Sequence, residues 1–555
     1  MLALPYLAWL FFAFLLPLGA VALLSVQPGG DMFAPLVLVP SGAQYAEVLG
    51  DAFLLRTLGQ TLALGACVTA ASAVLAYPVA LWLVRLPPRW RSLGFACVLV
   101  PLLTNVVVRS LGIILLLAPG GVVAGAAGLL GLGRPNLLFG WFAVGLSLTQ
   151  VFLPYMVLSL YDALDGQDAR LHDAAAGLGA GPAERFLRVV LPLSLPGLRA
   201  GIVLVFLLAS TAYVSATLVG GRKVWVSGMV VLREGLENLN YPLAAALAML
   251  MLLASVAATA AVGGGFALLA PWAAGRPPWF RLRLGRVGCM AAEWAAPVLS
   301  RALLALALAL LLFPLVLVAV SSVNDTPQAT VASFQGFTWR WYGRVWENRR
   351  YLEDARTSAL LALAAVSVAL ALSLPAAFVL GRGKGRGHGV LAALLMLPLA
   401  LPGIALGLGM LRLLQWFTVL PPFLGLLAVH VVLVAPFTLA ILRASVAGLD
   451  RSSEDAAGGL GAGRLRILVR VLLPQLAPAL VVAGVLGFLI SFGEVTVTAF
   501  LTTARMQTLP VRIYAEAGFS LENTVNAVST LLIGSTLAAL LLVSRAMPLD
   551  RAWRR

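Results

Sequence analysis

Runs of about 20 apolar residues recur along this 555-residue chain, and they constrain its fold more than any other feature. An α-helix needs roughly that length to cross the ~30 Å hydrocarbon layer of a bilayer. Transmembrane β-strands alternate apolar and polar residues instead, and these runs do not. Since 61% of the residues are hydrophobic and 11% are charged, a water-soluble core could not bury the apolar surface. The sequence therefore predicts an all-α integral membrane protein.

The apolar runs predict about twelve transmembrane helices in two sets of six. The first set covers residues 4–26, 57–82, 93–113, 139–161, 194–218 and 243–269, and the second covers 298–321, 358–380, 390–411, 424–444, 476–500 and 524–544. The run from residue 4 is too long for the core of a signal peptide and has no basic residues before it. We therefore assign it as the first span.

The connections between these spans alternate in their content of Lys and Arg. Of the 38 basic residues, 24 lie in connections on the same side as the two termini, which leaves 14 elsewhere. Basic residues favour the cytoplasmic side of a membrane. We therefore expect both termini in the cytoplasm, and we attribute the net charge of +16 to topology rather than to nucleic-acid binding.

Two segments on the basic side are nearly the same. Residues 173–192 read DAAAGLGAGPAERFLRVVLP, and residues 455–474, which lie 282 positions later, read DAAGGLGAGRLRILVRVLLP; they agree at 12 of 20 positions. The match extends without a gap from Pro154, paired with Pro436, to Pro196, paired with Pro478. Two sets of six spans joined inside the cell predict parallel repeats.

The repeats predict three regions. These are a first repeat over residues 1–270, a cytoplasmic linker rich in Pro, Gly and Arg over 271–297, and a second repeat over 298–555.

Each twin segment has the pattern of a short helix, a tight turn and a second helix. An acid followed by alanines suits the start of a helix, because a carboxylate offsets the positive end of the helix dipole. The glycines of GLGAG allow the left-handed backbone that ends a helix in a turn. Loops usually vary more than spans, yet here the loop is the most similar part. We therefore expect an outside partner to contact both copies.

The twin segments carry a family signature. The pattern EAA, three residues, Gly, nine residues, I-x-L-P marks the coupling loop of permease subunits in bacterial ATP-binding-cassette importers, and both segments resemble it, with Asp in place of Glu. The loops cover about residues 162–192 and 445–474. The coupling residues that this resemblance implies are Asp173, Ala174, Ala175, Gly179, Leu191, Pro192, Asp455, Ala456, Ala457, Gly461, Leu473 and Pro474.

The resemblance extends over most of the chain. The first half, with LVFLLASTAYVSATLVGGRK, is similar to the first permease of spermidine and putrescine importers, and the second half, with LPLALPGIALGLGML and TLPVRIYAEAGF, is similar to the second. Fused permeases of this kind also occur in importers of ferric iron, thiamine and aminoethylphosphonate. The resemblance implies a type I importer permease fold, two copies of a separate ATPase that binds ATP and Mg²⁺, and an extracytoplasmic solute-binding protein.

The chain itself has no pattern of an enzyme or a cofactor site. A phosphate-binding loop needs G-x-x-x-x-G-K-[ST], but the only lysines are Lys223 and Lys384, and Gly385 follows the latter. The three cysteines and three histidines are dispersed and predict neither a disulfide framework nor a metal site. We therefore expect no catalysis and no bound cofactor in this chain.

An ion-coupled secondary transporter is the main alternative, because twelve spans in two parallel halves also describe that class. Such carriers couple transport to a gradient through charged groups within the membrane. Here these are sparse, chiefly Arg109, Arg412 and Glu494, and paired coupling loops are not typical of that class. The importer is the favoured interpretation.

Glu494 is the candidate for contact with the cargo, because an acid inside an apolar span is costly unless it faces water, a base or a cation. The alternative is a structural acid, paired with an arginine or hydrogen-bonded to a turn near Gly493. If Glu494 faces the pathway, Tyr213, Ser210 and Thr217 of the first half are expected on the opposite wall.

The cargo itself is less constrained. Permeases that this chain resembles often carry an acid in both halves, whereas the first-half counterpart of Glu494 is Ala212. A polyamine or another amine is favoured. A zwitterion, a metal chelate, ferric iron, aminoethylphosphonate and thiamine stay open.

Overall fold

A computed structural model of the chain confirms the helical membrane architecture. Structure is described for residues 2–28, 40–269 (except 132, 134 and 222) and 286–546 (except 332–333, 384–386, 401–402, 417–420, 504–505 and 520–521).

The helices fall into two similar series. The first consists of α1 (Leu4–Ser25), α2 (Ala43–Gly50), α3 (Ala52–Arg85), α4 (Pro88–Leu103), α5 (Val106–Leu117), α6 (Val122–Leu129), α7 (Trp141–Asp165), α8 (Ala169–Gly177), α9 (Pro182–Thr211), α10 (Val214–Gly220), α11 (Ser227–Leu232) and α12 (Tyr241–Leu269). The second consists of α13 (Arg286–Ser322), α14 (Arg340–Glu347), α15 (Arg349–Arg382), α16 (Gly387–Met396), α17 (Gly403–Trp416), α18 (Pro422–Ala447), α19 (Ser452–Gly459), α20 (Arg464–Phe492), α21 (Thr498–Leu501), α22 (Leu509–Phe519) and α23 (Asn523–Ala546).

The predicted number of spans is confirmed within the described residues. Eleven helices there are long and apolar enough to cross a membrane, and a twelfth span forms if residues 387–399 and 403–416, which meet at 84°, count as one. In the core of the first half α3, α7 and α9 pack against one another, and in the second half α15, α18 and α20 do the same.

Four predicted spans are interrupted rather than continuous: besides the span at 390–411, which bends by 84° between α16 and α17, three have breaks within the described residues. The span predicted at 93–113 divides between α4 and α5, where Thr104 and Asn105 are extended. Likewise, the span at 194–218 breaks between α9 and α10, and the span at 476–500 breaks between α20 and α21. Hydropathy did not reveal these breaks because apolar residues continue on both sides of each one.

The two halves repeat in more of the chain than the twin segments showed. From α1 to α5 the offset between equivalent residues is 297, as Ala52 and Arg349 at the starts of α3 and α15 illustrate; from α7 onward it is 282. Equivalent contacts accompany this register: Tyr45 and Ser25 share a 2.8 Å hydroxyl contact, and so do Tyr342 and Ser322. The difference of 15 residues lies in the connection that contains α6.

The first helix of each half packs against the other half. The backbone of Gly112 on α5 lies so close to α13 that a Cβ atom there would stand 2.3 Å from the Pro314 carbonyl oxygen. Equivalently, a Cβ at Gly409 on α17 would stand 2.2 Å from the Pro17 carbonyl oxygen of α1. Only glycine permits such approaches. The two repeats are therefore interlocked by a pair of equivalent crossings.

Most of the predicted linker, 271–297, lies outside the described residues. From Arg286 onward the chain is helical, so residues 298–321 of α13 form the predicted seventh span and its first turns occupy the end of the linker. The limits proposed for the three regions stay predictions.

Candidate functional site

The two coupling loops fold in the same way. An aspartate caps each short helix: the Asp168 carboxylate accepts from the Arg170 N–H at 3.0 Å, and that of Asp450 accepts from the Ser452 N–H at 2.9 Å. Such side chains satisfy N–H groups that have no partner within the helix. The Ser452 hydroxyl and N–H also lower the pKa of Asp450, since they stabilise its ionised form.

A glycine ends each coupling helix. Gly179 has φ +80° and Gly461 has φ +82°, in the left-handed region that favours glycine. Beyond each glycine, the N–H of Ala180 donates to the Ala175 carbonyl and that of Ala462 donates to the Ala457 carbonyl, at 3.1 and 3.0 Å. These bonds satisfy carbonyls that the helix end leaves without a partner. The predicted helix and turn are present in both copies.

The tips of the loops expose side chains that water does not favour. Leu178 is 89% exposed and Leu460 is 90% exposed, each just before the turn glycine. Asp173, Asp455 and the first alanine after each are also exposed, whereas the second alanine, Ala175 or Ala457, is half-buried. The two loops therefore present the same small apolar surface with an acid beside it.

Each loop returns to the membrane through a wide turn. Residues 186–190 and 468–472 form single π-helical turns, and Leu191, Pro192, Leu473 and Pro474 follow them. Proline lacks an N–H and its ring crowds the carbonyl four residues earlier, which a wider turn relieves. The residues at the end of the signature thus shape the entry into α9 and α20.

The loops differ in how they are held to the membrane helices. In the second loop Glu454 forms a two-pronged ion pair with Arg382 at the end of α15, and both side chains are about one-fifth exposed. Arg85 and His172 occupy the equivalent positions of the first loop. Instead of an ion pair there, the start of α9 packs against α13.

The interrupted spans meet one another, and we call the residues at their breaks, 104–105, 212–213, 403–404 and 493–497, the break cluster. The Asn105 amide donates to the Gly493 carbonyl at 2.7 Å, and its oxygen accepts from the Val107 N–H at 2.6 Å. A Cβ built at Gly403 would lie 3.1 Å from the Val497 side chain. One asparagine thus serves the open end of α20 and the start of α5 together.

Two short helices lie against the break cluster: a Cβ built at Gly228 on α11 would meet Ile404 and Tyr213, and the Tyr514 ring of α22 packs against Tyr213. The first N–H of α11, from Ser227, donates to Thr61 at 2.9 Å, and the first N–H of α22, from Leu509, donates to Ser358 at 2.8 Å. In the second half Arg512 of α22 also forms a partly buried ion pair with Asp354 of α15.

Glu494 lies within the break cluster, and its carboxylate caps the next helix. It accepts from the N–H groups of Val497 and Thr498 at 2.8 and 2.9 Å, and from the Thr498 hydroxyl. Within the described residues no Lys or Arg nitrogen lies within 4 Å of this carboxylate. Of the two structural alternatives, the geometry therefore has the hydrogen-bonded turn and not the arginine pair.

The other three predicted pathway residues have different surroundings. The Tyr213 hydroxyl donates to the Thr496 carbonyl at 3.1 Å, which brings this side chain next to the loop of Glu494. Thr217 donates to the Tyr213 carbonyl at 3.0 Å, and the Tyr514 ring of α22 packs edge-on against the Tyr213 ring. Ser210 is fully buried, and its hydroxyl contacts Ser255 of α12 at 3.1 Å.

Sequence reasoning missed Asn105 and His430. Asn105 stands in the run PLLTNVVVRS, where two adjacent polar residues inside an apolar span were a usable signal of a break. His430 was weighed only as a metal ligand and was dismissed because the three histidines are dispersed. It is buried and contacts Ser491 at 2.7 Å and Thr498 at 3.0 Å.

Known proteins similar to this chain are permeases. The spermidine/putrescine transport system permease protein PotB of Haemophilus influenzae is 31% identical over 243 residues, which are 43% of this chain and 84% of that protein. PotC of the same organism is 28% identical over 234 residues, which are 42% of this chain and 90% of that protein. A crystal structure of a bacterial ABC transporter involved in the import of the acidic polysaccharide alginate aligns with 47% of this chain and 92% of that one, at 16% identity and a TM-score of 0.41.

One family matches both halves. The binding-protein-dependent transport system inner membrane component matches residues 76–273 and again residues 373–548, which together are more than half of the chain. Both matched regions contain a coupling loop and an interrupted span. The chain belongs to the family of binding-protein-dependent transport system inner membrane components, as a multi-pass permease of an ABC importer with two type I repeats.

Proposed function

We propose that this permease carries an amine, of which polyamines are the best candidates, through the break cluster, while two copies of a separate ATPase dock on its two coupling loops. The observation that carries the proposal is the repetition of one exposed turn, with φ +80° at Gly179 and +82° at Gly461. An exposed loop kept in the same conformation twice is expected to meet the same partner twice.

Several features of the loops support ATPase docking. Six spans separate them, so they lie on the same side of the membrane. Exposed Leu178 and Leu460 offer matching apolar side chains at the tips of the two loops, which one kind of partner could contact twice. The sequence contains no phosphate-binding loop of its own. On this proposal ATP and Mg²⁺ bind to the partner, the loops and both termini are cytoplasmic, and a binding protein docks on the opposite side.

The break cluster supports a solute pathway. In transporters, interrupted helices near the membrane midplane commonly form the cargo site, because backbone groups freed at the breaks can contact a solute. Four spans are interrupted here, two in each half, and their breaks touch. Glu494 adds a carboxylate without a basic partner in the described part of the chain. An intramembrane acid of this kind suits a cationic cargo.

The amine assignment rests on this carboxylate together with the relatives. Both PotB and PotC are named for the transport of spermidine and putrescine. The single acid, with Ala212 as its counterpart, matches one amino group of the cargo more directly than two.

Identification of the ligand of the cognate binding protein tests the cargo. Thermal shift of that protein is measured with spermidine, putrescine, aminoethylphosphonate, thiamine and ferric iron, and uptake of each hit is measured in proteoliposomes that contain the permease and its ATPase. We expect an amine to stabilise the binding protein and to be taken up only with ATP. Stabilisation by ferric iron alone, or uptake without the ATPase, would refute the proposal.

A further inference from the structure

A directed chain of hydrogen bonds ends on Glu494. The Thr498 hydroxyl donates its one proton to the Glu494 carboxylate, so it must accept from the neighbouring His430 Nε2 at 3.0 Å. A neutral imidazole with its proton on Nε2 has a bare Nδ1, which accepts from the Ser491 hydroxyl at 2.7 Å. The order is Ser491, His430, Thr498 and Glu494, with every proton pointing toward the carboxylate.

This chain of bonds spans the break in the eleventh span. Ser491 lies in the last turn of α20, and Thr498 begins α21 on the far side of the break. His430 stands on α18, is 2% exposed and contacts both. The imidazole therefore fixes the two ends of the break relative to each other and to a third helix.

The first half shows that the fold does not need this network. At the offset of 282 residues, the counterparts are all apolar: Leu148, Ala209, Ala212 and Ala216 take the places of His430, Ser491, Glu494 and Thr498. The first half still breaks at the equivalent point, between α9 and α10. Burying four polar side chains costs free energy unless each has a partner, so an apolar set would suffice for folding alone.

We propose that His430, Ser491 and Thr498 are positioning residues that hold Glu494 as the single binding group for the ammonium end of the cargo. The second half alone then selects for a cation, while the first half supplies apolar counterparts and Tyr213, whose hydroxyl donates to the Thr496 carbonyl in the loop of Glu494. This inference rests on the proposed amine transport. It goes further in assigning recognition to one half and in naming the residues that support it.

The test replaces His430 and measures the concentration dependence of spermidine and putrescine uptake in proteoliposomes with ATPase and binding protein. H430L installs the first-half residue and removes both hydrogen bonds. We expect the concentration of cargo at half-maximal uptake to rise about ten-fold or more, with ATPase docking unchanged. The melting temperature should fall only modestly, because the Ser491 hydroxyl loses its acceptor. H430Q places an amide N–H where Nε2 stands, so it should restore the value to within about three-fold, whereas H430N reaches only the Nδ1 position and should not.

Matched variants separate positioning from folding. T498V keeps the shape of the side chain and removes the hydroxyl, so it should act like H430L, and it replaces H430L as the test if that variant does not fold. L148M changes the equivalent buried site of the first half and should leave uptake unchanged. The exchange H430L/S491A/E494A/T498A rebuilds the first-half set and should fold while amine uptake is lost.

The outcomes distinguish the inference from the proposal beneath it. If the wild-type protein takes up no amine, both are wrong. If it does, and if H430L and T498V take up amines with the wild-type concentration dependence, only the inference is wrong. Equal losses in H430L, H430Q and H430N, together with lowered melting temperatures, would assign His430 a purely structural role and would also overturn the inference.

Discussion

Replacement of Gly461 by valine isolates the contribution of the coupling turn. Gly461 has φ +82°, and a Cβ atom built there meets no other atom within 4 Å. A substitution therefore adds no clash, and its cost comes from the backbone alone. A side chain in the left-handed region costs roughly 1–2 kcal/mol, and a β-branched one is among the least tolerated.

That cost converts directly into an expected loss of docking. A penalty of about 1–2 kcal/mol changes an equilibrium by a factor of about 5–30. If the ATPase binds only the native turn, the apparent Kd rises by up to that factor, because the competent fraction of loops falls. The intrinsic penalty is the same for Gly179→Val in the first loop, since φ is +80° there.

A matched control lies two residues away. Gly463 has φ −67° and ψ 159°, which any residue adopts, and a Cβ there also meets nothing within 4 Å. ATPase binding to the purified permease in nanodiscs is measured by interferometry, and ATP hydrolysis is measured with and without loaded binding protein. We expect weaker docking and reduced stimulation for Gly461→Val, and wild-type behaviour for Gly463→Val. Equal effects of the two variants, or none in either, would refute the backbone argument.

Three further predictions concern other contacts. Native mass spectrometry of the assembled transporter should show one copy of this chain with two ATPase subunits, and two copies of the chain would contradict the assignment of both sockets to it. Gly112→Ala should lower the melting temperature, because its Cβ would meet the Pro314 carbonyl at 2.3 Å. Gly145→Ala should not, because its Cβ would stand 3.8 Å from its nearest neighbour. Equal melting temperatures of the two variants would show that the crossing can adjust. Glu454→Gln should destabilise the second coupling loop by about 1–2 kcal/mol, which lies between the usual costs of breaking exposed and buried ion pairs. Faster hydrogen exchange over residues 452–459 would show this. Unchanged exchange would mean that the pair with Arg382 does not hold the loop.

The sequence predicted the features that depend on neighbouring residues. The apolar runs indicated the spans, and GLGAG indicated a turn because a left-handed glycine and its helix end lie within one short stretch. Both appear in the structure, with the turn at Gly179 repeated at Gly461. Such features need no knowledge of the rest of the fold.

The features that the sequence did not reveal depend on distant residues. Asn105 interrupts a span by donating to Gly493, which is 388 residues away, and nothing near Asn105 identifies that partner. The crossing of α13 over Gly112 likewise depends on packing between the halves. Glu494 was recognised as unusual, but its capping of α21 through Thr498 was visible only once the break was known.

This capping affects which variant is suitable for testing Glu494. Glutamine retains the shape of the side chain, but one oxygen becomes an NH₂ group that cannot accept a hydrogen bond. Each carboxylate oxygen accepts at least one hydrogen bond here, from Val497 on one side and Thr498 on the other. Glu494→Gln therefore removes a cap together with the charge, and reduced uptake in that variant alone would not separate the two. The hydroxyl-only change in Thr498→Val gives the cleaner comparison.

Only the second half carries an acid at the break, and the distribution of the other features between the two halves gives a physical reason for this difference. The crossings at Gly112 and Gly409 and the turns at Gly179 and Gly461 occur in both halves, because helix packing and docking are needed twice. A single small cargo between the halves is contacted once, so one carboxylate can serve it. A second acid at Ala212 would face the first across the break cluster, where like charges in a low dielectric repel strongly. Ala212→Glu should therefore weaken uptake of a mono-amine and favour a diamine such as putrescine, and competition between the two cargoes in proteoliposomes measures that shift. An unchanged preference would show that position 212 does not face the cargo.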